Sequence, residues 1–250
     1  MDNSVYQRLK EKARSTAAKL GLPSFYHSHK KELDKSHRAY AHNKILHNLR
    51  GHIDESRLHP AHGMAHCEKV AIEAGAVLCI EGTKAAFSCQ DIENLMLSAQ
   101  VAGLLHDIKR AEDNHTIAGS IEAGRILTFF DINNSHKKYI TAAIENHEAF
   151  KPVCDSEDEL ARLISDSLYD ADKFRWGPDN FTITLWLIIE SAGVSAEILY
   201  AGFREKMEWI SRIRDTFRTE TGRKYGPEFI DFGIEIGKEI YSEMECILKA

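Results

Sequence analysis

Proline is scarce in this chain, its cysteines follow no pairing pattern, and no long apolar run occurs. With only five prolines, long stretches lack the residue that most firmly interrupts a helix. The five cysteines, Cys67, Cys79, Cys89, Cys154 and Cys246, are odd in number and form no CxxC pair. That argues against a disulfide framework or a thiolate zinc site. The longest apolar stretch, Leu185 to Ile189, is far shorter than the ~20 residues that span a bilayer. The first residues, MDNSVYQRLKEKARS, hold no apolar signal-peptide core. Basic excess is missing too, since the formal net charge is -6. A sequence-independent nucleic-acid binder draws its affinity from phosphate neutralisation, so none is expected here. A reducing cytoplasm is the expected home, with no membrane partner.

What is present suffices for a packed core. Hydrophobic residues are 43% and charged residues 28% of 250, which sets disorder aside as the dominant state. Apolar residues recur at helical spacing almost everywhere and strand-like alternation is scarce, so the chain reads as all-α. Helices are expected over 4–20, 25–50, 62–80, from an Asp91 N-cap to 106, and over 116–130, 136–148, 157–174, 181–190, 196–219 and 227–248. Residues 1–60 form an N-terminal helical extension, 61–180 a central core, and 181–250 C-terminal helices packing on it. His27, His29, His37, His42 and His47 are expected on a solvated helix face.

Histidine is the one unusual count, at 13, and it is both a common metal ligand and a proton carrier. Leu95, Ala99, Ala102 and His106 fall on one helical stripe, so His106 points inward from a helix end, with Asp107 next to it. His62 and His66 lie one helical turn apart, and His66 heads the apolar stripe Val70, Ala74, Val77. His147 ends the stripe of Ile140, Ala143 and Ile144. His115 precedes Ile117 and Ile121, as a cap or a ligand. Asp170 and Asp172 end the amphipathic run Leu160, Ile164, Leu168, and periodicity does not choose between them. A buried carboxylate needs a partner, whether a cation or an arginine. Singly, each of these residues fits a buried side chain with one hydrogen bond. Together they point to a shared cation, and imidazole with carboxylate suits Fe, Mn, Co, Ni, Zn or Mg.

The order His66-x-x-Lys-Val, Leu-Leu-His106-Asp107, Asp-Ala-Asp172-Lys-Phe resembles the HD domain superfamily over about half the chain. The resemblance implies an HD-type helical bundle and a metal-dependent phosphohydrolase. It implies that His66, His106, Asp107 and Asp172 are metal ligands, with Asp172 preferred because Lys173 and Phe174 follow it. His115 and His147 resemble ligands of a second metal in dinuclear members, with Asp107 bridging, so one or two divalent transition-metal ions are expected. Asp107, Lys109 and Lys173 are the expected catalytic residues. Lys109, Arg110, Lys173 and Arg175 are the expected phosphate-binding cations, for a nucleotide or another small phosphorylated metabolite. Some nucleotide-cleaving members carry a Glu where Arg110 stands, so Glu112, Asp113 and Glu148 are open candidates for the acid. The flanking extensions are expected to pack on the bundle, shape the pocket or mediate homo-oligomerisation. The rival readings are a di-iron oxygenase on the same ligand set and a non-catalytic binding module.

Overall fold

The computed structural model describes residues 3–153, 156 and 158–248. Among the described residues the chain is all helix, with twelve α-helices and no strand. They are α1 Asn3–Leu20, α2 Ser24–Ser28, α3 Lys30–His42, α4 Lys44–Arg50, α5 Met64–Lys84, α6 Cys89–Leu105, α7 His115–Leu127, α8 Asn134–Glu145, α9 Glu159–Phe174, α10 Leu185–Ala192, α11 Ala196–Ser211 and α12 Glu220–Leu248. Among these, no helix is long and apolar enough to cross a membrane.

Several boundaries differ from expectation, each for a local reason. The stretch 25–50 is three helices, because Asn43 accepts from the backbone N–H groups of Ile45 and Leu46 and so starts a new one. Its His27, His37, His42 and His47 are exposed, and His29 is half-buried. Ser88, not Asp91, caps α6: its hydroxyl accepts from the Asp91 N–H and donates to the Asp91 carboxylate. Pro60–His62 forms a 3-10 turn ahead of α5, which starts two residues later than expected. α12 begins seven residues before Pro227 and runs through it.

Two apolar clusters fill the interior. One gathers Leu46, Val70, Ala74, Leu105, Ile144 and Leu168 from α4, α5, α6, α8 and α9. The other gathers Leu9, Phe25, Phe174, Phe229, Ile236 and Ile240, joining α1 and α12 to the rest. α5 and α9 are walls of both: Val70 and Leu168 face the first cluster, Val77 and Phe174 the second. Phe174 stacks on Phe229 with ring centroids 4.3 Å apart. Each fully buried side chain of this size stabilises the fold by about 1.5–3 kcal/mol. A core of this extent can therefore carry a locally unfavourable polar cluster.

The crossing of α5 over α6 is unusually close. A Cβ built on Gly103 would stand 2.5 Å from the Ala71 Cα. Only glycine fits there, and the approach brings the start of α5 against the end of α6.

Candidate metal centre

The centre lies where α5 begins and where α6, α8 and α9 end. α6 stops at Leu105, and the chain turns through backbone hydrogen bonds from Ile108 to Leu105 and from Arg110 to Asp107. That turn lets the adjacent His106 and Asp107 converge. His106 Nδ1 donates to the Gly103 carbonyl at 2.7 Å. His147 uses the same device beyond α8, donating from Nδ1 to the Ile144 carbonyl at 2.6 Å. Each satisfies a carbonyl left over at a helix C-terminus. Each also places its ring proton on Nδ1, so the Nε2 lone pair points into the centre.

Four donors then meet. His66 Nε2 lies 3.2 Å from His106 Nε2, 3.7 Å from Asp107 Oδ2 and 3.5 Å from Asp172 Oδ1. His106 Nε2 lies 3.2 Å from Asp107 Oδ2 and 3.7 Å from Asp172 Oδ1. Metal bonds of about 2.1 Å place the ligands of one ion roughly 3.0–3.4 Å apart, so these edges are close to those of a common ion. His147 Nε2 faces the other carboxylate oxygen, Asp107 Oδ1, at 3.4 Å. That oxygen is buried with no hydrogen-bond partner. Converging lone pairs and carboxylates repel one another unless a cation or a proton sits between them.

The carboxylates demand a positive charge at this point, which either a cation or a proton on His106 Nε2 supplies. Burial opposes a charge on His106, yet Asp107 and Asp172 pull its pKa up to about 10. Burial pushes His66 down to about 4. Burial would raise Asp107 and Asp172, but the charges of His106 and Lys173 respectively hold them well below the ordinary range. Among the described cysteines, Cys67 lies within electrostatic reach of Asp107 and Asp172. Burial pushes it well up, and its Sγ is turned 3.9 Å from the His62 carbonyl, so the donor set contains no thiolate. Imidazole and carboxylate donors of this kind fit a divalent transition metal.

The structure separates Asp172 from Asp170. Asp172 gives Oδ1 to the centre and Oδ2 to Lys173, whose Nζ also donates to the His147 carbonyl at 2.9 Å. Lys173 is thus buried and ties two donors together. Asp170 accepts from the backbone N–H groups of Arg218 and Thr219, both at 2.8 Å, just ahead of α12. Burial pushes its carboxyl up to about 7.

The other expected residues fall further out. His115 is buried beside His147, with ring centroids 5.3 Å apart. It belongs to none of the three donor groups found among the described residues, which are His62–His66–Asp107, His66–His106–Asp172 and His106–Asp107–His147. Arg110 donates to its Nε2 at 2.6 Å, and burial together with that guanidinium pushes His115 down to about 4. Lys109 pairs with Glu112 at 3.0 Å and lines a polar cleft with Asp54, Arg57 and Arg125. Arg175 is buried among Glu73, Asp179 and Tyr26. His62, which sequence reasoning did not count among the ligands, also faces the cluster: its Nδ1 stands 2.8 Å from Asp107 Oδ2. The His62-x-x-x-His66 spacing was visible, but the 3-10 turn that aims His62 was not.

Compared with protein-family models, curated proteins and solved structures, the chain matches none. The His/Asp cluster is consistent with an HD-type site on the geometry of this chain alone.

Proposed function

We propose that this protein is an HD-type metal-dependent phosphohydrolase acting on a small phosphorylated substrate. The observation that carries the reading is the convergence of His66, His106, Asp107 and Asp172 at spacings suited to one ion. The order of these residues along the chain, which resembles the HD pattern, supports it. A divalent cation held there would polarise a phosphoryl oxygen and lower the pKa of a water toward neutrality.

The protein supplies orientation and charge. His106 and His147 are fixed in one tautomer by backbone carbonyls, so their donors need no rearrangement. Lys173 holds Asp172 with one oxygen turned inward. Among the expected phosphate-binding cations, Lys173 and Arg175 are held in buried ion pairs. Arg110, half-buried beside His115, is the better placed to meet a substrate anion.

The test is phosphate release from a panel of nucleotides and simple phosphomonoesters, with Mn, Fe, Co, Ni or Zn added in turn. Metal-dependent release, lost in Asp107→Ala, is the expected result. Bound iron with oxygen uptake and no phosphate release would replace this reading with the oxygenase. Metal binding without turnover of either kind would leave a binding module.

A further inference from the structure

We infer that His62, and not His115, completes the metal centre on its open side. The inference rests on reading the His/Asp cluster as a metal centre, and it departs from the ligand set that the HD resemblance implies.

His62 is brought in by a short, pinned turn. Pro60 opens the 3-10 turn Pro60–His62, and His59 Nδ1 accepts from the Ala61 N–H at 3.2 Å. Proline fixes one backbone angle and the cap fixes the turn, so the His62 side chain leaves the backbone in a set direction. Its ring lies against that of His66, centroids 4.8 Å apart. Its Nδ1 stands 2.8 Å from Asp107 Oδ2, buried, with no hydrogen-bond geometry to any partner. The contact has the length of an ion pair, and it brings a further ring nitrogen to the carboxylate oxygen that His66 and His106 already face. One donor atom from each of His62, His66 and Asp107 lies within 4.8 Å of the others. The His62 side chain is 16% exposed, against 11% for His66 and 3% for Asp107, so it forms the side nearest solvent.

His115 is held in the opposite way. Arg110 Nη1 lies 2.6 Å from its Nε2 and 3.3 Å from its Nδ1. A guanidinium can only donate, so it occupies the imidazole lone pair that a metal would need. It also places a permanent positive charge where a second cation would have to approach. The centre therefore takes His62, His66, His106, Asp107, His147 and Asp172, a set of nitrogen and oxygen donors suited to a divalent transition metal.

Cobalt(II) binding to the full chain, purified without a histidine tag, tests this. Uptake is measured by equilibrium dialysis and by visible absorption for the wild type, His62→Ala, His62→Gln and His115→Ala. Circular dichroism confirms that each variant is folded. Both His62 variants are expected to weaken at least one cobalt equivalent by about tenfold or more and to change the absorption band. His115→Ala is expected to stay within about threefold of the wild type, well short of the tenfold loss expected for a ligand. The inference is overturned if His115→Ala loses the equivalent while the His62 variants keep it, or if all of them bind like the wild type. Those two outcomes leave the metal reading intact. A wild type that takes up no cobalt, or any of the other metals above, removes the metal reading and this inference with it.

Discussion

Asp170 and Asp172 sit two residues apart on α9 and serve opposite faces of it. A step of two residues turns a helix by about 200°. Asp172 accordingly faces His66 and His106, while Asp170 faces the backbone N–H groups ahead of α12. One carboxylate belongs to the candidate centre and the other to the fold. The two are expected to separate under mutation. Asp172→Ala loses metal affinity with little change in the helical signal. Asp170→Ala leaves two backbone N–H groups unpaired, that of Thr219 buried, and destabilises the protein by roughly 1–3 kcal/mol. Denaturant unfolding alongside metal titration of both variants checks this. Equal effects on both readouts would contradict it.

Gly103→Ala is expected to disturb the centre without touching a ligand. The added methyl meets the α5 backbone at Ala71. Backbone cannot rotate away as a side chain can, so the helices must separate, at about 1–3 kcal/mol. His66 and His106 move apart with them. Unfolding midpoint and metal affinity should fall together. Retention of both would show that the crossing tolerates a Cβ.

Lys173→Met keeps the length and apolar body of the side chain and removes its charge. Asp172 then loses the partner that fixes its Oδ2, and the His147 carbonyl loses its donor. Metal affinity is expected to drop about 10- to 100-fold, the range for partners that orient a ligand. If Lys173 instead contacts substrate, the variant will keep its metal and show only a raised KM.

Glu81 provides a pH-dependent contribution remote from the centre. It accepts from the Thr221 hydroxyl and from the N–H groups of Glu220 and Thr221, capping α12 from another helix. Burial would raise it, but the Thr221 and Lys84 hydrogen bonds outweigh that and lower it from 4.5. A carboxylate lowered by folding stabilises above its unfolded value, and that contribution disappears as pH falls through the folded value. Glu81→Ala should therefore destabilise by about 1 kcal/mol at pH 7, a typical value for a cap. The gap to the wild type should narrow below about pH 4.5. A gap independent of pH would show that packing, not the charge, is responsible.

Much of the centre was legible because helical periodicity carries direction. His66, His106 and His147 each stand at the end of an apolar stripe, and such a residue must face the interior. The all-helical fold follows from the same spacing. The choice between Asp170 and Asp172 was not legible from that spacing, because both flank a helix that is buried on nearly every side. Lys173 and Arg175 read as free cations because a sequence does not show that Asp172 and Glu73 face them. The direction in which His62 points was hidden by a change of helix type, since a 3-10 turn aims its side chain differently from an α-helix. The Arg110 contact on His115 was not legible, because Arg110, five residues earlier, folds back onto it only in three dimensions. The first turns of α12 were missed because Pro227 looks like a start. Gly222 and Gly226 leave room for Asp170 and the Phe217 ring to pack against the helix ahead of it.

The most direct test is the metal content of tag-free wild type and Asp107→Ala by plasma mass spectrometry, after reconstitution with Mn, Fe, Co, Ni or Zn. Asp107 touches His62, His66, His106 and His147, so a metal centre there should bind at least one equivalent in the wild type and lose it in the variant. A wild type that retains no metal under any of these conditions, or a variant that retains as much, would contradict the assignment.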